Sequence, residues 1–275
     1  LLDAAHGSVQ TIDGRYAGFA ALVRADGYRI RAGEQKLDQP GALDGVDVLV
    51  LSNAVAPRDG SSPDAFSPAE IAAVDAWVRA GGSLLLAVDH APYGGANETL
   101  GRALGVEMGK GYAFEVDARG RPNTNLDYPA EALGDHPVFR GRTADERVER
   151  VRTFTGQSLR GPAGATVLLH MTDGAREAAD VRTLQQIHQR LDAGEDAGTV
   201  FGELSRPALP AQGLAFDHGA GRVVVLGEAG MLTAQMVQYD DGREPFRFGL
   251  HTEGHDDQQF ALNILHWLSR LEGPQ

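Results

Sequence analysis

The stretch from Gly82 to Gly95, Gly-Ser-Leu-Leu-Leu-Ala-Val-Asp-His-Ala-Pro-Tyr-Gly-Gly, constrains the fold more than any other part of the chain. Its five consecutive apolar residues, Leu84 to Val88, have the length and bounding glycine of a strand buried on both faces. Such a strand belongs in a parallel sheet covered by helices on each side. The run stops abruptly at Asp89-His90, followed by Pro92 and the pair Gly94-Gly95. Ligands of open α/β sheets sit beyond the carboxyl ends of the strands, so a carboxylate and an imidazole here mark the first place to look for chemistry.

The flanking residues supply a β-helix-β unit. Val46 to Leu51 predicts a strand ending in Ser52-Asn53. Ser67-Pro68-Ala69-Glu70 has the residues of a capping box, with proline at the first helical position. Ile71, Val74, Trp77 and Val78 form one apolar stripe, and Gly81-Gly82 stops the helix. This order suits a right-handed parallel crossover. Further strands are predicted at Leu1-Leu2, Tyr28 to Ala32, Tyr112 to Val116, Ala165 to His170, Val200-Phe201, Gly213 to Phe216 and Val223 to Leu226. Helices are predicted over Asp13 to Ala25, Asn97 to Leu104, Asp180 to Leu191 and Asp256 to Leu271. Asp117 to Arg150 and Gln238 to His255 read as polar, irregular stretches. Thr172 to Gly198 reads as a helical insertion that covers the site or makes an interface. Without a repeat or a clear linker, residues 1–275 are expected to form a single α/β domain.

The formal charge is −13, from 38 acidic side chains against 25 Lys and Arg. Phosphate contacts need a basic face, so a nucleic-acid partner is not expected. No apolar run approaches the ~20 residues of a membrane-spanning helix. The absence of cysteine removes disulfides, thiolate ligands and a cysteine nucleophile. A cysteine-free chain suits an oxidising periplasm as well as the cytosol, while Leu1-Leu2-Asp3 reads as the end of a strand already under way, as though a signal peptide had preceded it. A periplasmic or secreted location is therefore expected, with the cytoplasm also compatible. The expected partner is a small-molecule substrate or ligand, and a homo-oligomer stays open.

Several phrases together point to a family. They are Asp3-x-x-His6 before Asp13-Gly14-Arg15-Tyr16, the Ser67 helix with Gly81-Gly82-Ser83-Leu84-Leu85, and His136-Pro137-Val138. Gly221-Arg222-Val223-Val224-Val225-Leu226-Gly227-Glu228 and Asn263-x-x-His266-Trp267-Leu268 complete them. On these residues the chain resembles the class I glutamine amidotransferase-like superfamily. Within it, the chain is most similar to a cysteine-less branch near the trehalose-utilisation-type proteins and uncharacterised exported domains. The resemblance covers nearly the whole chain and is weakest from Thr172 to Ser205. It implies a three-layer, flavodoxin-like α/β sandwich with a mostly parallel central sheet. It implies no single activity, because the superfamily holds enzymes and non-catalytic domains alike. True amidotransferases carry a cysteine after a central strand, where this chain has Val88-Asp89-His90, so glutaminase and thiol-protease chemistry are excluded. Gln10 stands where relatives carry a further histidine, which weakens a metal site borrowed from the family.

The strand ends supply the candidate groups. Asp3 and His6 lie three apart beyond the first strand. Asp89 and His90 end the central one, and neighbours on an extended chain point oppositely, so one of them enters the pocket, Asp89 by preference. Glu228 ends the last core strand with Gly227 and Gly230 close by. Asp89, His90, His6 and Glu228 are thus the candidate catalytic residues. His251 and His255 flank Glu253, and with Asp3 and His6 they are the candidate ligands of a divalent metal ion, the one cofactor considered. Asn53, Tyr93 and Tyr112 are the candidate substrate contacts.

Each group has a structural counterpart: loop capping for Asp3 and Asp89, a carbonyl partner for His6, a cap or an Arg222 salt bridge for Glu228. Asp256 and Asp257 read as N-caps of the last helix. Ser52 has no Gly-x-Ser-x-Gly elbow, and the glycine pairs lack the strand-GxGxxG-helix setting of a dinucleotide site. Three readings remain. A hydrolase of a small ester, amide or glycoside-type substrate, with or without a metal ion, is favoured. A non-catalytic small-ligand or carbohydrate-binding domain comes second, and an assembly module docking through the 180–191 helix third.

Overall fold

The computed structural model describes residues 1–117, 119–238 and 245–271. The chain opens with β1 (Leu2–Asp3), α1 (Ala17–Ala25), β2 (Ala32–Gly33) and β3 (Val48–Ser52). Helix α2 (Pro68–Arg79), strand β4 (Ser83–Ala87) and helix α3 (Tyr93–Ala103) follow. Next come β5 (Glu107–Met108), β6 (Tyr112–Val116), β7 (Pro122–Asn123), β8 (Asn125–Pro129), α4 (Pro137–Arg140) and β9 (Arg150–Phe154). Strands β10 (Leu159–Arg160), β11 (Thr166–His170) and β12 (Ala175–Ala178) lead to helices α5 (Val181–Asp192) and α6 (Ala197–Gly202). The last elements are β13 (Ala211–His218), β14 (Gly221–Leu226), β15 (Ala234–Val237), β16 (Phe246–Gly249) and α7 (Asp257–Leu268).

The main sheet has the order β2-β1-β3-β4-β14-β13-β10-β5, with β11 also on β13. Its first five strands are parallel. Strand β13 is antiparallel to β14, while β10 and β11 are antiparallel to β13 and so regain the common direction. The parallel half therefore runs 2-1-3-4-5, the doubly wound flavodoxin-like order, whose switch point lies between β1 and β3. Strand β4 sits between β3 and β14, with Leu84 opposite Leu49 and Val223.

The uninterrupted leucine run is explained by two cores. Val50, Leu85, Ala87, Val224 and Leu226 pack with Phe19 and Val23 of α1 and Phe260 and Ile264 of α7. Leu49, Leu51, Leu84, Leu86, Val223 and Val225 pack with Val74 and Val78 of α2 and Leu100 of α3. Alternate side chains on each strand thus serve opposite layers, giving the expected three-layer α/β sandwich. Helix α2 starts as predicted: Ser67 Oγ accepts from the Glu70 N–H at 3.2 Å, and Glu70 Oε2 accepts from the Ser67 N–H at 3.0 Å. At the other end, a Cβ on Gly221 would lie 2.1 Å from the Val78 and Gly82 carbonyl oxygens, so only glycine lets β14 pass the end of α2.

Several elements differ from the sequence pattern. Helix α1 begins at Ala17, because residues 9–16 close a turn in which Gly14 and Tyr16 donate to the Thr11 carbonyl. Of Tyr28 to Ala32, only Ala32 enters a strand, at the short edge of the sheet. Val200-Phe201 lies in helix α6: Asp196 caps the Thr199 N–H at 2.8 Å, and Phe201 packs edge-on against Phe114 at 4.9 Å. The stretch 117–150 holds β8, which pairs along its whole length with β9. The second polar stretch contains β16, and its residues 239–244 lie outside the described residues. Asp256 precedes α7 without capping it; its carboxylate accepts from the Glu149 and Arg150 N–H groups, tying the helix start to β9. The 172–198 region is not wholly helical. Strand β12 pairs with β6, and both pack with α5 and α6 around Tyr112, Phe114, Ile187, Val200 and Phe201.

Candidate functional site

Strands β1, β3, β4 and β14 are parallel, so Asp3, Asn53, Asp89 and Glu228 all follow carboxyl ends at one edge of the sheet. Within that edge the side chains form two clusters.

The first cluster stands at the switch point. His6 Nδ1 lies 2.9 Å from Asp3 Oδ1, and His6 Nε2 lies 2.8 Å from Glu70 Oε1. All three side chains are buried, and the imidazole packs on Phe66 with centroids 4.5 Å apart. A neutral imidazole has one N–H and carboxylates only accept, so this chain of three needs an extra proton, on the ring or on one of the acids. Glu70 also holds the N-terminus of α2 and accepts from the Leu37 N–H at 3.2 Å. His6 therefore fastens the first loop to α2, with both ring nitrogens occupied.

The second cluster is the acid pair. Asp89 and Asn53 exchange two hydrogen bonds: Asn53 Nδ2 donates to Asp89 Oδ2 at 2.6 Å, and the Asp89 N–H donates to Asn53 Oδ1 at 2.9 Å. The other Asp89 oxygen accepts from the Ala229 N–H at 3.2 Å. Glu228 is 2 % exposed, and its carboxyl accepts from the N–H groups of Gly230 and Met231, the latter at 2.7 Å. The two carboxyls lie within hydrogen-bonding reach of each other. Burial raises the Asp89 pKa above the usual carboxylate range, against the opposing pull of Asn53. Burial, and then the Asp89 charge, push Glu228 much higher. Two acceptors in such contact hold one proton between them. Behind them Tyr16, fully buried, lies 2.8 Å from Ser52 Oγ and donates to the Ala229 carbonyl at 3.0 Å. Of Asp89, Glu228, Asn53, Ser52 and Tyr16, Asp89 is the one that reaches solvent.

The glycines near these acids make room for protein. A Cβ on Gly94 would lie 2.8 Å from Gln157 Oε1 and 3.2 Å from the Asp89 carbonyl oxygen. One on Gly227 would meet the Gln157 carbonyl at 2.2 Å. Gln157 is what occupies this space, donating to the carbonyls of Val88 and Asp89 at 2.9 and 3.0 Å.

The other predicted groups lie apart from the pair or serve it indirectly. His90 stacks on Tyr112 with centroids 4.0 Å apart, and the Tyr112 hydroxyl donates to the Ala91 carbonyl at 2.9 Å. Tyr93 is half-buried in the first turn of α3. His255 Nε2 lies 2.8 Å from Asp127 Oδ1, which also accepts from Arg152, while His251 is exposed. Of the candidate metal ligands, Asp3 and His6 bond each other, His255 bonds Asp127 and His251 is exposed, and among the described residues no three His, Asp or Glu side chains form a group that could hold a metal ion. The residues present do not fit such a group. A cavity of about 660 Å³ opens at the amino edge, between Leu1, Tyr28, Asp47 and Leu265, and none of the candidate residues lines it.

Sequence reasoning missed Tyr16, Glu70 and Gln157 as parts of the site. Tyr16 reads as one more apolar helix position and Glu70 as a cap, so each has a sufficient local explanation. Gln157 has no local signal.

No family model and no curated protein matches the sequence. Solved structures match its fold. The mmIFT52 N-terminal domain is 13 % identical, with 98 % of this chain and 96 % of that one covered and a TM-score of 0.58. Cytoplasmic protein STM1381 from Salmonella typhimurium LT2 is 12 % identical, covering 93 % and 88 %, at a TM-score of 0.50. A ThuA-like protein from Parabacteroides merdae ATCC 43184 is 11 % identical, covering 100 % and 90 %, at 0.49. No helix among the described residues is long and apolar enough to cross a membrane. At these identities the likeness to the first two is one of fold alone.

Proposed function

We propose that this protein is a hydrolase of a small ester, amide or glycoside-type substrate, with Asp89 as the working carboxylate and Glu228 as its proton-holding partner. The observation that supports this is the pair itself: one partly exposed and one buried carboxyl in contact, both with raised pKa. In the singly protonated state one group accepts a proton from water while the pair keeps another to give to the leaving group. Asn53 and the Ala229 N–H fix the Asp89 carboxylate in place. His6 and His90 enter as positioning residues, not as the base. No step is routed through a metal ion.

The test is a panel of esters, amides and glycosides assayed from pH 4 to 9, with the wild type, Asp89→Asn and Glu228→Gln. General acid–base catalysis contributes about 10²–10⁴-fold, so each variant should lose at least about 100-fold in kcat while keeping its fold by circular dichroism. The wild-type profile should be bell-shaped, with the alkaline limb set by loss of the shared proton. Turnover of no substrate by the wild type would retire the hydrolase reading. A second reading, a small-ligand binding site, is supported by the close packing of Glu228 and by the protein atoms that fill the glycine gaps. It predicts ligand binding without turnover.

A further inference from the structure

We infer that a ring-binding subsite adjoins the acid pair, formed by Phe154 and Phe248 and extended by Phe246. It rests on the reading of Asp89 and Glu228 as the reacting pair and adds the chemical class of the group beside the scissile bond. Phe154 ends β9, and Phe246 and Phe248 lie on β16. The rings of Phe154 and Phe248 are 5.4 Å apart at 30°, and those of Phe248 and Phe246 are 6.1 Å apart at 16°.

This ladder is not core. Phe154 is 37 % exposed, Phe246 and Phe248 are partly exposed, and Met236 on the paired strand is 52 % exposed. Rings left partly in contact with water forgo part of the burial that stabilises a core, so a ligand that covers them gains what folding did not.

The ladder is continuous with the acids. The Phe248 ring edge lies over Gly230, where a Cβ would come within 3.3 Å of Cε2 and 2.5 Å of Glu228 Oε1. Phe154, Phe248 and Glu228 line one narrow gap, too small to admit a water molecule, so a ligand would lie on the outer side of the rings. Partly exposed rings tilted by 16° and 30° to one another next to a carboxyl suit a ligand whose reacting bond carries a ring with a flat face, either an aryl group or the C–H face of a sugar. Near-parallel stacking sets the orientation of that ring, which a shapeless apolar patch would not do.

Binding of three probes by saturation-transfer NMR tests this without needing turnover. Acetanilide carries an aryl ring, methyl β-glucoside a sugar ring, and N-methylacetamide none. The expected result is that at least one ring-bearing probe binds roughly threefold to tenfold or more tightly than N-methylacetamide, with saturation strongest on its ring protons. Phe248→Leu and Phe154→Leu keep apolar volume but remove the flat face, and each should abolish that preference while melting within a few degrees of the wild type. Comparing acetanilide with methyl β-glucoside identifies the ring. Equal binding of all three probes, or a preference that survives both leucine variants, overturns the subsite. Failure of the acid-pair reading appears separately, as absence of turnover in a protein that still binds the ring.

Discussion

Asp257 shows how one carboxyl at a strand–helix junction turns into a pH dependence. It is 1 % exposed, one of its oxygens accepts from the Arg152 N–H at 3.0 Å, and the other has no hydrogen-bond partner. Burial pushes its pKa up to about 7 from 3.8. The folded state therefore holds a proton that the unfolded chain has released between about pH 4 and pH 7. Stability contributed by this group falls with rising pH across that window and is constant above it. Asp257→Asn keeps the acceptor and removes the charge. It should leave stability near pH 4 unchanged and raise it at pH 8 by roughly 2–4 kcal/mol, read from urea denaturation at both pH values. Glu228 obeys the same sign, since burial and Asp89 raise its pKa too. Glu228→Gln should melt higher than the wild type at pH 8 and yet be inactive, the trade-off expected where a costly buried acid is kept for chemistry.

At the scale of elements, the start of α2 is a joint between local and tertiary structure. Ser67→Ala removes one cap and should cost about 1 kcal/mol. Glu70→Ala removes the reciprocal cap and also strips His6 Nε2 and the Leu37 N–H of their acceptor. Buried donors left unpaired cost about 1–3 kcal/mol each, so this variant should lose at least twice as much as Ser67→Ala in the same denaturation experiment. Equal losses would mean that His6 finds another partner. The capping box was legible because its residues are adjacent in sequence. The bond from Glu70 to His6 spans 64 residues and had no signature.

At the scale of the whole molecule, the sheet and the satellite formed by β6, β7, β12, α5 and α6 differ in how they are buried. Strand β4 has partners on both edges and helices on both faces. Helix α5 buries Ile187 and exposes most of its other side chains, including Val181 at 46 %. Hydrogen exchange should therefore show α5 opening well before β4 and β14, through partial rather than global unfolding. Exchange of α5 at the rate of β4 would show the satellite to be part of one cooperative unit. The tie between the two is specific: Tyr112 on β6 bonds the Ala91 carbonyl and stacks on His90, next to Asp89.

By itself the sequence determined the layers. An apolar run too continuous for a half-exposed strand requires cover on both faces, and the caps and glycine stops around α2 give the crossover that supplies it. It also determined that acids would stand at the carboxyl ends, because Asp3 ends a core strand and Asp89 and Glu228 stand two residues beyond theirs. Which acids would meet was decided only by the tertiary structure. Asp89 pairs with Glu228 because β4 and β14 are neighbours in register, although 139 residues separate them. His6 is turned away by Glu70, and His255 by Asp127, through contacts that no local pattern encodes. The β8–β9 pair was invisible for the same reason. Its alternation is short and polar, and its stability comes from the core beneath Leu126, Tyr128 and Val151, not from the propensity of the residues that form it.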